Sequence, residues 1–298
     1  MAGGRCFYFQ PCSENLMLSA HDLMHLRAVT DLATIECHDT LGSTMDRGRE
    51  LAGDGSIALP ALVLATQQQA GRGRRGASWW QPAGSLAMTL VLENSARTAT
   101  GPLPLWAPAC GLAVVETVRE LLPTLKLVVR WPNDIELHGR KLAGILVEAT
   151  TTQRVLIGIG MNTTGSASAA PAELADRLTT LPDATRQSLT HRSVLTVLVP
   201  RLLATIAQMV TPVGRADVVR RFRAVCSLTG HPVQLFDVLA ESVTGLSSAM
   251  THRKTARLSG LCRGIDDDGR LLVQTAEGIH AVISGSLTDP ALIWTAAD

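Results

Sequence analysis

The sequence predicts an α+β fold, and three observations carry that prediction. Strand-like apolar runs at 61–66, 86–92, 125–131, 142–148 and 155–161 follow one another mostly through turns, not through crossover helices at regular intervals. One amphipathic helix is expected at 108–122 among them. From His231 onward the pattern changes to short β-like runs at 233–236, 258–265, 271–274 and 280–283, with turns at Asp267-Asp268-Gly269 and Glu277-Gly278. A regular βαβ alternation would mark a parallel sheet, and it is missing here. At 298 residues, 46% hydrophobic and 18% charged, the chain can bury one large core and support a second, small module.

Taken in order, the remaining segments fill in this plan. Small residues at 163–170 read as a loop, and helical patterns resume near 171–178, 193–210 and 216–227. Pro200 is expected to kink or interrupt the second of these, because proline removes a helical hydrogen bond. The stretch 237–257 is longer than an ordinary hairpin loop and reads as an insertion, with 251–257 basic and exposed. Cysteines at 6, 12, 37, 110, 226 and 262 form no C-x-x-C pair, so reduced and mostly buried thiols are expected.

The passage richest in chemistry is Gly71-Arg72-Gly73-Arg74-Arg75-Gly76, preceded by Gln67-Gln68-Gln69 and followed by Ser78-Trp79-Trp80. Glycine lets backbone approach a ligand closely, and guanidinium groups present fixed forks of donors to carboxylate and phosphate oxygens. The loop therefore reads as an anion clamp. It is no nucleotide-triphosphate P-loop, since Ala77-Ser78 stands where Lys-Ser or Lys-Thr is required. Nor is it a dinucleotide fingerprint, because Trp79-Trp80-Gln81-Pro82-Ala83-Gly84 breaks the helix that must follow the glycines.

A second passage runs from Arg130-Trp131-Pro132-Asn133-Asp134 to Gly139-Arg140-Lys141-Leu142-Ala143-Gly144-Ile145-Leu146. Apolar residues on either side of His138-Gly139 predict a tight hairpin, from which Lys141 emerges beside the turn. Asn133-Asp134 after Pro132 is compatible with turn chemistry or with ligand binding.

These passages, with Gly42-Ser43-Thr44 before them and Gly158-Ile159-Gly160-Met161-Asn162 after them, resemble the biotin protein ligases in both motif and order. A weaker match, Arg263-Gly264-Ile265-Asp266 with Gly269-Arg270-Leu271-Leu272-Val273, extends the resemblance over roughly residues 38–287. It implies a mixed β-sheet backed by helices, of the class II aminoacyl-tRNA synthetase-like biotin/lipoate ligase type, with a small C-terminal SH3-like β-barrel. It also implies three segments: an N-terminal extension at 1–37, a catalytic domain at 38–228 and the barrel at 229–298.

The activity implied is activation of biotin by ATP to biotinyl-5′-adenylate, with release of pyrophosphate, and then transfer to a lysine of a biotin carboxyl carrier domain. Its first step brings one anion onto another. Like charges at about 4 Å repel by roughly 1 kcal/mol in bulk water and by about 4 kcal/mol at an effective dielectric near 20, so a partly closed site needs cations. By the family pattern Lys141, Arg72, Arg74 and Asp134 are the catalytic candidates. Biotin falls to Ser43, Thr44, Met45, Gln68, Gly71, Arg72, Gly73, Arg74, Trp79, Lys141 and Gly144. The adenylate falls to Arg75, Trp79, Asn133 and Asn162. Magnesium would arrive with the ATP, without a protein metal cage. Met45 stands where many relatives carry a polar residue, so only its backbone is expected to contact ligand; the arginine that some relatives place after the last strand has no counterpart around Ser286-Leu287, so no nucleotide contact is expected from the barrel.

Other classes are disfavoured. A net charge of +1 does not mark a nucleic-acid binder, and residues 1–37 are too few for the helix-turn-helix domain some relatives carry. The first fourteen residues lack the apolar core of a signal peptide, and no apolar run reaches membrane-spanning length, so a cytoplasmic protein without membrane partners is expected. His21-Asp22-Leu23-Met24-His25 puts two imidazoles on one helical face but lacks the glutamate and third ligand of a zinc protease. A lipoate-type ligase and a non-catalytic biotin binder are the rival readings; a homodimer is compatible with all of them.

Overall fold

An eight-stranded mixed sheet, bent around a pocket at one end, organises the larger domain. The structure, a computed structural model, describes residues 9–10, 18–94, 104–242 and 253–287. In chain order the sheet strands are β1 (Phe9–Gln10), β2 (Thr34–Leu41), β3 (Ala61–Gln68), β4 (Leu86–Glu93), β5 (Leu127–Arg130), β6 (Asp134–Leu137), β7 (Arg140–Ala149) and β8 (Arg154–Met161). In space they lie β1-β2-β3-β4-β8-β7-β6-β5. The β1, β2 and β3 pairings are parallel, and every later neighbour is antiparallel.

Alternation along β3 shows how the sheet acquires two covered faces. Ala61 and Val63 point to a small cluster with Met45, Leu51 and Ala52 of helix α2 (Thr44–Gly53), whereas Leu62 and Leu64 point to the main core on the other face. That opposite face is covered by α1 (Ala20–Val29), α3 (Trp106–Leu121), α6 (His191–Gln208) and α7 (Pro212–Arg223). Between β8 and α6 lie a 3-10 turn at Ala167–Ala169 and two short helices, α4 (Ala172–Ala175) and α5 (Leu181–Thr185). Each fully buried Leu or Val contributes roughly 1.5–3 kcal/mol, so this two-sided burial dominates the domain's stability.

Four expectations need correction. A domain boundary at 37/38 falls inside β2, and Leu18, Leu23, Leu26 and Leu32 already belong to the main core. Residues 18–37 are therefore part of the sheet domain; β2 buries Thr34, Ile35, Glu36 and Cys37 in succession, and Glu36, paired with Arg47 of α2, masked the strand in the sequence. Pro200 does not interrupt α6, because Val194, Leu195, Leu198, Val199 and Leu202 bury themselves on both sides of it and packing outweighs the lost hydrogen bond. The helix expected at 171–178 is one turn, α4. Of the insertion expected at 237–257, the described residues 237–242 and 253–257 are strand: β9 (Pro232–Ser242) and β10 (Arg253–Ile265) pair in one register from Pro232↔Leu261 to Ala240↔Arg253, and 243–252 lie outside the described residues.

With β11 (Leu271–Thr275) and β12 (Gly278–Ser286), these strands close a barrel in the order β10-β11-β12-β9 around Leu235, Val238, Val273 and Val282. The chain leaves the sheet where Ser227 N–H donates to Val129 O and enters the barrel where Gly230 N–H donates to Cys262 O. Two further bonds fix the barrel against the sheet domain. Buried Trp131 donates through Nε1 to Gly269 O at 3.0 Å, and Arg223 donates to Ile265 O.

Candidate active site

The passages singled out in the sequence, far apart along the chain, converge on one cavity of about 340 Å³ between the sheet, the arginine loop and the barrel. Its floor is β6, β7 and β8. Gly158 and Gly160 alternate on one face of β8, and Gly144 sits opposite Gly160 on β7. The missing side chains leave room for Trp79 and Met45. A Cβ at Gly160 would lie 2.5 Å from the Trp79 ring, one at Gly144 3.2 Å from it, and one at Gly158 2.6 Å from Met45 Sδ. The Gly-x-Gly pattern inside an apolar strand signalled this in the sequence, although Gly158 and Gly160 were not on the expected site list.

At the entry to α2, Ser43 caps the helix by accepting from Met45 N–H, and Thr44 donates through its backbone N–H to Gln68 Oε1 at 2.8 Å. Thr44 Oγ1 also lies 3.1 Å from Gln68 Oε1 and accepts from Thr89 Oγ1 at 2.9 Å. Gln81 braces this group from behind: its Oε1 accepts from Gln68 N–H, and its Nε2 donates to the carbonyls of Thr66 and Ser85. Ser43, Thr44, Met45 and Gln68 all line the cavity. Met45 is buried.

The loop from Gly71 to Trp79 closes on itself. Gly71 O accepts from Trp79 N–H and Gly73 N–H donates to Ala77 O, and a single 3-10 turn spans Arg74–Gly76. Arg75 and Gly76 have positive φ, 57° and 77°. A Cβ on Gly71 would meet Trp79 O at 2.8 Å, so glycine there lets the two arms touch; Gly71 itself does not line the cavity, and Gly73 does. Each arginine is held by a different part of the molecule. Arg72 Nε donates to both Asp46 carboxylate oxygens at 2.9 and 3.0 Å, and Asp46 is shared with Arg49, which in turn pairs with Glu148. Arg74 donates to the Asn133 side-chain oxygen at 3.3 Å. Arg75 reaches Asp237 of the barrel.

Of the three, Arg74 is the unbalanced charge. Burial, reinforced by the neighbouring Arg75 charge, pulls its pKa below the ordinary guanidinium value, although Asp134 pulls the other way. Its only hydrogen-bond partner among the described residues is a neutral amide. A partly buried cation in this position gains most from an anion entering the cavity.

The β6–β7 hairpin turns at His138 and Gly139, both at positive φ (53° and 75°), the tight turn expected from sequence. It brings Lys141 Nζ to 2.7 Å from Asp134 Oδ1 and 5.4 Å above the Trp79 ring. Asn133 Nδ2 donates to Ile145 O, which locks the amide whose oxygen receives Arg74. Sequence reasoning missed Arg130 and Glu136, which face the same cavity as an ion pair of 3.5 Å. Burial raises the Glu136 pKa, opposed by Arg130 and Lys141 and assisted by Asp134. Strand register brings them together: Arg130 opposes Asp134, and a β-bulge between Ile135 and Glu136 sets Glu136 opposite Lys141 while Asp134 stays opposite Gly144.

One expectation about the nucleotide needs revision. Asn162 is fully buried and does not line the cavity: its Oδ1 accepts from Ser85 and its Nδ2 donates to Thr179 O. It ties β8 to the segment after α4, and its motif position reflects that structural duty. Conversely, Ser286 and Leu287 at the end of β12 do line the cavity, so the barrel takes part in the site. The carboxylates lining the cavity are Asp134, Glu136 and Asp176, each within 4 Å of a cation, and no cluster of three metal-ligating side chains occurs among the described residues.

A model of the biotin/lipoate A/B protein ligase family matches residues 43–162, and one of the biotin protein ligase C-terminal domain matches residues 252–286. Among curated proteins, a biotin–[acetyl-CoA-carboxylase] ligase of Paracoccus denitrificans is 32% identical over 233 residues, covering 74% of this chain and 87% of that protein. The chain belongs to the biotin protein ligase family. The bifunctional ligase/repressor BirA of Bacillus subtilis is 31% identical, covering 84% of this chain and 72% of that protein. Among solved structures, the biotin protein ligase of Aquifex aeolicus in complex with biotin and ATP superposes with a TM-score of 0.68 at 24% identity, covering 84% of this chain and 96% of that one. The fold of biotin protein ligases, mixed sheet plus C-terminal barrel, is thus the fold of this chain.

Proposed function

We infer that this protein is an ATP-dependent biotin protein ligase. The observation that carries the reading is the partly buried Arg74 guanidinium facing Lys141, Trp79 and the glycine floor in one cavity, without a carboxylate partner of its own. Biotin's fused rings suit the apolar space that Gly158, Gly160 and Trp79 shape, and the Thr44–Gln68 group offers polar atoms to its ureido edge. The orphaned Trp79 Nε1–H, buried without an acceptor among the described residues, is a further donor turned into this region.

In the first half-reaction a biotin carboxylate oxygen forms a bond to the α-phosphorus of ATP, and the bond to the β-phosphate oxygen breaks as pyrophosphate leaves. Lys141 lowers the repulsion between the two anions, and Arg72 and Arg74 hold the anionic adenylate that forms. Magnesium supplies additional positive charge on the phosphates. When Lys141 turns to those oxygens, Asp134 loses its counter-ion. It is then the carboxylate able to take a proton from the carrier lysine, whose reference pKa near 10.4 keeps it protonated at neutral pH. The neutral amine attacks the acyl carbon, the bond to phosphate oxygen breaks, and AMP departs. Arg75 and Asn133 act on the adenylate indirectly, the first through the barrel and the second through Arg74.

The partner that follows is a biotin carboxyl carrier domain, with no nucleic acid or membrane involved, in the cytoplasm. No helix among the described residues is long and apolar enough to cross a membrane. Incubation with biotin, ATP, magnesium and an apo carrier domain should add one biotinyl mass and release pyrophosphate. Release with lipoate and not biotin would identify a lipoate ligase, and no release with either would identify a binder. Asp134→Asn should slow transfer from preformed adenylate, and unimpaired transfer would remove it as the base.

A further inference from the structure

Asp237 is the one acidic side chain that the barrel sends to the arginine loop among the contacts of the described residues, and its backbone explains how. It has φ 49°, in the left-handed region, midway along β9. Toward β10 the register runs unchanged across it, from Val238↔Thr255 to Phe236↔Arg257, but toward β12 it shifts between Ser284↔Leu239 and Ser286↔Phe236, where β9 carries one residue more than its partner. Asp237 is thus a β-bulge, a device that turns one side chain out of the strand's alternation. Aspartate tolerates this conformation better than most residues. The side chain so released accepts from Arg75 Nη1 at 3.3 Å, and the Asp237 carbonyl accepts from Arg75 Nη2 at 2.9 Å. Arg75 also has positive φ, so two residues in unusual conformations meet across 162 positions of sequence.

We propose that Asp237 is a positioning residue that latches the arginine loop shut by holding Arg75, so that the barrel controls how long the loop covers the cavity. The reading rests on the ligase assignment for its consequence, retention of the acyl-adenylate, but the latch itself is a property of this chain alone. The location supports it: the bulge lies beside Ser286 and Leu287, the two barrel residues that line the cavity. Arg72 and Arg74 are tied to the sheet domain, on α2 and at the β5–β6 turn, whereas Arg75 is tied to the barrel. Opening this contact frees the loop's tip without disturbing the floor. Asp237 and Arg75 side chains are 55% and 28% exposed, so the contact is of the strength that breaks and re-forms, and salt weakens it.

The test is limited trypsin digestion of the full chain without ligands, with mass spectrometry locating cleavage after Arg72 and Arg74. Asp237→Asn keeps a side chain that tolerates the bulge and removes only the charge. The proposal expects cleavage there to quicken by about two- to fivefold in Asp237→Asn and in Arg75→Gln, with no further increase in the double variant and with melting temperature unchanged. The difference from wild type should vanish at high salt. Cleavage at the wild-type rate in Asp237→Asn, or additive effects in the double variant, would overturn it. Pyrophosphate release by the wild type tests the ligase reading separately. If that reading holds, biotinyl-adenylate should also leave Asp237→Asn faster by a similar factor, with its rate of formation unaltered.

Discussion

The cavity has two halves built on opposite principles. Its floor, from Asp134 and Lys141 across Gly144 to Gly160, sits on strands whose backbone is paired on both sides, and the 2.7 Å Lys141–Asp134 contact is set by hairpin register. Its cover, from Gly71 to Trp79, has little regular structure and is fixed by three arginines on three different elements. A floor of this kind keeps reacting groups in place without reorganisation; a cover of this kind can be released and replaced. The division suggests that the floor performs the chemistry and the cover retains its product.

Removing the floor's cation should have the largest effect. Lys141→Met is expected to lower the rate of biotin-dependent pyrophosphate release by about 10²–10³-fold, the usual cost of one preorganised electrostatic group in a closed site, with a smaller change in biotin affinity. Arg74→Gln removes a charge-assisted contact to the bound anion, which is worth about 1.5–3 kcal/mol. It should weaken adenylate binding by about 10–100-fold, measured by the dissociation of labelled adenylate. Gly160→Val tests the place where the halves meet. Its Cβ would begin 2.5 Å from the Trp79 ring, and overpacking of about 1–3 kcal/mol should reduce biotin affinity about 5- to 100-fold in calorimetry.

The smallest effect concerns the fixed half's support. Buried His191 bonds through Nε2 to Gly84 O and Thr163 Oγ1, and burial holds its pKa below the ordinary value. As pH falls through about 6.5 the unfolded chain takes up this proton before the folded chain does, so stability present above that pH is lost below it. His191→Gln should flatten the melting temperature between pH 8 and 5, by about 2–4 °C at the acid end.

How much of this was legible in the sequence follows the same division. The floor was readable, because strand alternation, a His-Gly turn and the Arg-Trp-Pro-Asn-Asp and Gly-Arg-Lys passages are local patterns with local physical causes. The arginines could be named as an anion clamp, yet not their partners. Asp46, Asn133 and Asp237 meet them only through tertiary packing, and Asp237 does so through a bulge that no alternation reveals. Asn162 shows the converse error: a polar residue ending a glycine-rich motif looked like a ligand contact and is a buried strut between Ser85 and Thr179. The barrel's share in the cavity was likewise hidden, since Ser286 and Leu287 carry no chemistry that marks them.

The division of labour is tested most directly by rapid-quench analysis of one turnover, separating enzyme-bound from free adenylate, in wild type, Lys141→Met and Arg74→Gln at saturating biotin and ATP. Slow adenylate formation in Lys141→Met, together with formation near the wild-type rate but early escape into solution in Arg74→Gln, is the predicted result. Wild-type formation in Lys141→Met, or full retention in Arg74→Gln, would contradict it.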